Sequence, residues 1–295
     1  MKSPFGTYHP IINFSYFCAV ILLGMFLMHP VCLIISASAA AVYAIRLGGR
    51  GTVKFIFCFI LPMIAAVSLL NPLLIHKGVT ILTYLGDNPI TLEAIAYGAA
   101  SGVMFASVLL WFSCYNAIMT SDKFIYLFGR IIPSMSLVFS MVLRFVPRFK
   151  AQMKSISQAQ KCVGRDVSDG SLPEKARHGL KILSIMVTWA LENAIDTADS
   201  MKSRGYGLKG RTTFSIYRFD GRDSAAALAI VLLAAIVVLG AFLGICGASY
   251  YPSIDFAEQG PAAIVIYAAY FLLCFLPIIL DIKEELRWRH SQSKI

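Results

Sequence analysis

The chain has 295 residues, of which 58% are hydrophobic and only 14% are charged. Soluble domains carry about 25% charged residues, so this composition excludes an ordinary soluble protein and indicates an integral membrane protein. The net charge is +10, and residues 120–222 hold 17 Lys and Arg against 8 Asp and Glu. This basic segment favours anionic lipid or an acidic protein as partner, and nucleic acid is not expected because no nucleic-acid motif accompanies the charge.

Apolar runs along the chain predict an all-α protein with about six membrane spans. Each run has roughly the length that crosses a hydrocarbon core as a helix. The predicted spans are 11–28, 31–47, 55–75, 90–119, 225–246 and 261–280. Pro62 should kink the third span, and Gly98 and Gly102 should let another helix approach the fourth closely.

Positive charge falls on one side of these spans. The segment 76–89 is expected to be a loop with little positive charge, and the loop around Glu258 carries no Lys or Arg. The positive-inside rule therefore predicts a multi-pass protein of the cell membrane with both termini cytoplasmic. The predicted domains are a four-span region 1–119, a basic cytoplasmic region 120–222, and a two-span region with a cytoplasmic tail, 223–295.

The basic region predicts a pair of amphipathic helices. Residues 131–143 are apolar but too short to span, which predicts an interfacial or half-inserted helix. Residues 149–163 follow as an amphipathic helix that ends at Gly164. A second helix should run from about 174 to 203, and it carries a small-residue stripe for close helix packing, namely Ala190, Ala194 and Ala198. Two such helices that each end near a Gly indicate a crossed pair.

The residues give little sign of enzymatic chemistry. The seven Cys and five His are scattered, so neither a metal site nor a cofactor is predicted. Residues 205–212 mimic a phosphate-binding loop, but a helix precedes them and Arg211 replaces the lysine, so nucleotide binding is disfavoured. A polytopic enzyme acting on lipid head groups through Asp196, Asp199 and Arg204 remains the alternative. A stand-alone permease is weaker, because the spans lack charges at mid-membrane.

Three stretches together resemble the transmembrane T component of energy-coupling factor transporters. They are Arg144–Pro147, Ala159–Gly164 and, most specifically, Ser200–Gly207 followed by Arg211-Thr212. The resemblance covers most of the chain and implies a subunit without catalysis or cofactor. It implies that the chain joins two ABC-type ATPase subunits, identical or different, to a small substrate-binding membrane subunit for vitamin or metal-ion uptake.

The resemblance also implies which residues bind the ATPase subunits. In that family two crossed coupling helices end in Ala-Arg-Gly-like motifs, and each arginine enters a groove on one ATPase subunit. The second motif is intact here, whereas Val163 stands where the first arginine is expected. Arg165 is the expected substitute, because the chain can turn back after Gly164, and the alternative is an apolar contact through Val163. The implied ATPase-binding residues are Val163, Gly164, Arg165, Met201, Ser203, Arg204 and Gly205.

Overall fold

The computed structural model describes residues 3–75, 78–85, 88–129, 133–165, 171–206, 208, 217–256 and 260–292. The chain forms two compact units. The first, which we call the membrane unit, comprises residues 1–124 and 217–295, and the second, the helix-pair unit, comprises residues 125–216.

Helices dominate both units. After a short 3₁₀ helix, Pro4–Thr7, the helices are α1 Pro10–Phe26, α2 Pro30–Gly48, α3 Arg50–Phe55, α4 Leu61–Leu74, α5 Leu92–Ile118, α6 Ser121–Gly129, α7 Pro133–Cys162, α8 Leu172–Ser203, α9 Gly221–Phe242 and α10 Pro261–Gln292. A π-helical turn, Ile56–Ile60, joins α3 to α4. Two small hairpins pair β1 Ile81–Leu85 with β2 Asn88–Thr91, and β3 Ala248–Ser249 with β4 Asp255–Phe256, both antiparallel.

The prediction of an all-α integral membrane protein is confirmed. In the part of the chain that the structure describes, five helical stretches are long and apolar enough to cross a membrane: Pro30–Gly48, Arg50–Leu74, Leu92–Ile118, Gly221–Phe242 and Pro261–Trp288. The first predicted span corresponds to α1, an apolar helix of 17 residues that is slightly shorter than these five. The six predicted runs therefore each correspond to an apolar helix, in the predicted order.

Two prolines lie inside continuous helical stretches. Pro62 lies in the first turn of α4, directly after the π-helical turn. A proline has no N–H and crowds the preceding turn, and a widened turn accommodates this without ending the span. Pro147 lies inside α7, so the separate helices expected at 131–143 and 149–163 form one continuous helix over their described residues.

The predicted loop 76–89 proved partly wrong. Its described residues include the β1–β2 hairpin, in which Tyr84 pairs with Pro89. The following helix starts at Leu92 instead of residue 90, because the Thr91 side chain caps it by accepting a hydrogen bond from the Ala94 N–H at 3.4 Å. Glu258 of the later loop lies outside the described residues.

The membrane unit is held by aromatic packing and by close helix contacts. Trp111 of α5 is fully buried, and its Nε1 donates to Ser36 Oγ of α2 at 3.1 Å. The rings of Tyr16 and Trp111 meet edge to face with centroids 6.1 Å apart. A Cβ at Gly102 would lie 3.1 Å from the Ile64 carbonyl oxygen of α4, which confirms the predicted close approach to the fourth span.

A buried carboxylate ties the start of the chain to α10. Asp281 is 1% exposed. Its two oxygens accept hydrogen bonds from Ser3 Oγ at 2.8 and 2.7 Å, and Oδ1 also accepts from the Phe5 N–H at 2.8 Å. Because a buried carboxylate and a buried N–H both need partners, this contact fixes the N-terminal segment against α10.

Asp281→Ala should destabilise the membrane unit by about 1–3 kcal/mol, because it leaves the buried Phe5 N–H without its acceptor. The measurement is the unfolding midpoint of the purified protein in detergent. Asp255→Ala is the control, since Asp255 is exposed and its removal should change stability by less than about 0.5 kcal/mol. Equal midpoints for the two variants would contradict this account.

Candidate partner-binding helix ends

The helix-pair unit is organised around a small apolar cluster between α7 and α8. Ile156 of α7 and Ile182 and Met186 of α8 are buried. Phe149 meets Trp189 edge to face with ring centroids 5.4 Å apart, and the Arg148 guanidinium lies 5.6 Å from the Trp189 ring centroid, a cation–π contact. These contacts join residues 148–156 of α7 to residues 182–189 of α8.

The predicted small-residue stripe does not form this contact. Ala190 is half-buried, whereas Ala194 and Ala198 are exposed. Bulkier side chains, Ile182, Met186 and Trp189, face α7 instead. Within the described part of the unit, the face of α8 that carries the three alanines is therefore not the face that packs against α7.

A second apolar stripe lies on the exposed surface of α8. Its members recur every three to four residues and are each more than half exposed: Leu180, Leu183, Val187, Leu191 and Ile195. A helix that is apolar on a face turned away from its own partner has a surface for lipid or for another protein.

The beginning of α8 is sharply defined. The Ser171 N–H donates to Glu174 Oε2 at 2.9 Å and the Ser171 hydroxyl donates to the same oxygen at 2.8 Å. These hydrogen bonds lower the pKa of Glu174 below its ordinary value. Pro173 adds a fixed φ in the first turn. The helix therefore starts two residues before the predicted position.

The end of α7 is a glycine cap. Gly164 has φ +75°, a left-handed conformation that glycine adopts without strain. The Val163 N–H donates to the Gln160 carbonyl at 3.2 Å, the Gly164 N–H to the Lys161 carbonyl at 3.0 Å, and the Arg165 N–H to the Gln160 carbonyl at 2.9 Å. This is the Schellman arrangement, which satisfies the last carbonyls of a helix.

The end of α8 repeats the same arrangement residue by residue. Gly205 has φ +79°. The Arg204 N–H donates to the Met201 carbonyl at 3.2 Å, the Gly205 N–H to the Lys202 carbonyl at 3.0 Å, and the Tyr206 N–H to the Met201 carbonyl at 3.0 Å. We call these two structures the α7 cap, residues 160–165, and the α8 cap, residues 201–206.

The matching hydrogen bonds assign equivalent positions in the two caps. Val163 corresponds to Arg204, and Arg165 corresponds to Tyr206. Val163 is also the residue that stands in place of the first expected arginine. Both side chains are available to a partner, since Val163 is 69% exposed and Arg204 is also exposed.

Some cap residues could not be recognised from the motif alone. Met201 belongs to the predicted set, and its role in the fold is to supply a carbonyl that accepts two hydrogen bonds. Gln160 supplies the equivalent carbonyl in the α7 cap and was not predicted. The signal for it was the spacing, since the residue four positions before a capping Gly is the expected acceptor. Ser203 closes the α8 cap locally, with its hydroxyl donating to the Ser200 carbonyl at 2.8 Å.

The structure gives little support to the carboxylates of α8 as a catalytic or metal site, or to the phosphate-loop resemblance as a nucleotide site. Glu192, Asp196 and Asp199 are exposed on α8. Among the described residues, no group of three or more His, Cys, Asp and Glu side chains could hold a metal ion. Arg211 and Thr212, which complete the phosphate-loop resemblance, lie outside the described residues.

Comparison with known proteins gives one family match, described as CbiQ, cobalt transport protein, over residues 9–214. Among similar relatives, the energy-coupling factor transporter transmembrane protein EcfT of Lactobacillus helveticus is 33% identical over 109 residues, covering 37% of this chain and 39% of the relative. EcfT of Lactococcus lactis is 32% identical over 106 residues, covering 36% and 40%. EcfT of Listeria innocua is 27% identical over 182 residues, covering 58% and 69%. The chain thus spans about two fifths of the first two relatives.

Gly164→Ala and Gly205→Ala should each destabilise their cap by about 1–2 kcal/mol, because a Cβ is strained at positive φ. Amide hydrogen exchange of the purified protein should then speed up by about tenfold or more at Arg165 and Tyr206 respectively. Gly179→Ala is the matched control: Gly179 lies inside α8 with open space around it, so alanine should be neutral or stabilise the helix by about 0.5–1 kcal/mol. Unchanged exchange at both caps would show that the glycine conformations are not what holds them.

Proposed function

The chain belongs to the CbiQ family of cobalt transport proteins, and we propose that it is the transmembrane coupling subunit of an importer of the energy-coupling factor type. In this proposal two ABC-type ATPase subunits bind the helix-pair unit, and a small membrane subunit binds the substrate. The chain performs no catalysis itself. Vitamins or metal ions are the proposed classes of substrate, and the names of the family and of the EcfT relatives support transport as the activity.

The observation that carries the proposal is the pair of matched caps. Each presents one exposed side chain at the tip of a helix of about 30 residues, directly before a glycine that turns the chain away. Arg204 at the second tip can offer several N–H donors to a carboxylate in a groove. Such a tip transmits a movement of the partner into the helix as a rigid body.

The exposed apolar stripe of α8 is the proposed surface for the substrate-binding subunit. Its leucine, valine and isoleucine side chains are too numerous to be incidental on a helix that also packs against α7. The exposed Ala194 and Ala198 lie beside this stripe and would let a partner helix approach closely. The predicted alanine stripe is thus proposed to pack against a helix of the substrate-binding subunit.

The membrane orientation is proposed from charge. Placing the basic segment 120–222 in the cytoplasm puts both caps on the side where ATP is available, and it also places both termini there. The predicted division into regions 1–119, 120–222 and 223–295 is retained as the functional division of the chain.

A polytopic enzyme acting on lipid head groups is the alternative, and neither the family match nor the relatives support it. Its proposed residues do not favour it either. Asp196 and Asp199 are exposed on a helix surface, whereas catalytic carboxylates usually lie in a cleft that excludes water.

Arg204→Ala should abolish recovery of ATPase subunits with the affinity-tagged chain, because truncating one partner of a buried charge pair costs about 2–5 kcal/mol. Arg204→Lys should restore recovery only in part, since lysine lacks the planar fork. The measurement is copurification from solubilised membranes, with membrane insertion checked separately. Lys202→Ala, at an exposed position two residues away, is the control and should behave like the wild type. Normal recovery with Arg204→Ala would refute this role.

A membrane-impermeant maleimide should label Leu82→Cys from outside the cell but should label Lys175→Cys only after permeabilisation. Both substitutions are made in a chain whose native cysteines have been replaced, since Cys58 and Cys162 are exposed. The result follows from the charge asymmetry of the loops. Labelling of Lys175→Cys in intact cells would overturn the proposed orientation.

A further inference from the structure

We propose that the α7 cap seats Val163 in an apolar pocket with an acidic rim, on an ATPase surface that differs from the one receiving Arg204. This inference rests on the proposed function, because it takes the ATPase subunits as the partners of both caps. It goes further by assigning a different chemistry to each contact, and it follows from the hydrogen-bond patterns of the two helix ends.

The two caps are equivalent in their backbone structure. The three N–H donors that close the α7 cap and the three that close the α8 cap have the same spacing and nearly the same distances. The two glycines differ by only 4° in φ. Because the backbones match, the side chains of Val163 and Arg204 leave the two helix tips at the same position relative to the helix end.

The two tips require different chemistry from a partner. A guanidinium that is removed from water needs an anionic partner, because an unpaired buried charge is strongly unfavourable. A groove that met this need at Arg204 would hold a carboxylate. The same groove placed over Val163 would leave that carboxylate desolvated against methyl groups. Two identical grooves therefore cannot satisfy both tips.

Arg165, the expected substitute for the missing arginine, does not stand at the tip of α7. In the α7 cap it occupies the position of Tyr206, on the far side of Gly164, and its N–H is held by the Gln160 carbonyl at 2.9 Å. Its side chain therefore starts where the chain leaves the helix, two residues after the tip. Val163, and not Arg165, stands at the tip itself.

The flanking charges define the rim of the pocket. Arg165 follows Val163 by two residues and is exposed, and Lys161, also exposed, lies about half a turn back on α7. Cations near an apolar tip fit a pocket with an apolar floor and carboxylates at its edge. Charges at a rim chiefly influence the association rate and its salt dependence, whereas the desolvated centre decides the affinity.

The first experiment identifies what each tip contacts. Photoreactive p-benzoylphenylalanine replaces Cys162 in one variant and Ser203 in another, which are the equivalent exposed positions directly before the two tips, so that Val163 and Arg204 both stay in place. The whole complex is irradiated after copurification with its own ATPase subunits. We expect the two positions to capture different ATPase surfaces, seen as different crosslinked peptides by mass spectrometry. Capture of the same peptide from both positions would overturn the inference. Failure of any ATPase subunit to copurify with the wild-type chain would instead refute the proposed function.

The second experiment tests the chemistry of the pocket. Val163→Leu should retain ATPase recovery, whereas Val163→Arg should reduce it by about tenfold or more, because a charge enters an apolar site. Met153→Arg is the matched control, since Met153 is an apolar residue on α7 that is 49% exposed and lies away from the cap; it should leave recovery unchanged. Equal or higher recovery with Val163→Arg would show an acidic groove and overturn the inference.

In the same assay, Arg165→Ala tests whether Arg165 contributes only at the rim of the pocket while Val163 occupies its centre. It should leave recovery in low salt within about twofold of the wild type, and it should weaken the salt dependence of assembly. A loss as large as that expected for Arg204→Ala would make Arg165 the replacing arginine, and the apolar pocket would then be excluded.

Discussion

The left-handed backbone of two glycines is the constraint on which the helix pair depends. Gly164 and Gly205 each take a positive φ, so the helices end there and the last carbonyls find donors within the cap. Any residue with a Cβ would make this turn costly, and the helix could then run on or fray. The residue directly before each glycine supplies the side chain at the tip. This single position therefore decides what the tip can bind.

Much of the membrane unit could be predicted from the sequence, because its signal is simple. Apolar runs of about 20 residues are required by the thickness of the hydrocarbon core, and all six runs became helices. The small residues of the fourth span also behaved as expected, with Gly102 against the α4 backbone. The contact between Asp281 and Ser3 was beyond sequence reasoning, since the two residues lie 278 positions apart and no local pattern connects them.

The sequence failed where local signals compete with packing. Separate helices were predicted at 131–143 and 149–163, yet α7 continues through Pro147 between them, since a proline in a helix removes one hydrogen bond and that cost can be offset by the rest of the helix. The alanines of α8 suggested the packing face, but bulky Ile182, Met186 and Trp189 occupy it. A periodicity identifies a helix face, but it cannot tell which of two apolar faces meets which partner. The sequence motifs pointed to Val163 and Arg204, and the hydrogen bonds of the two caps show that both residues occupy the same position relative to the helix end.

The two tips stand at different distances from the packed patch. Val163 lies seven residues beyond Ile156, and Arg204 lies 15 residues beyond Trp189, which are the named patch residues nearest to each tip; at 1.5 Å per residue these distances are about 10 and 22 Å. The proposed contact of Arg204 therefore lies at the end of a longer stretch of helix beyond the patch, and its strength has to come from the tip itself. A guanidinium paired with a carboxylate can supply that strength, whereas the proposed apolar seat of Val163 lies closer to the packed patch of the pair.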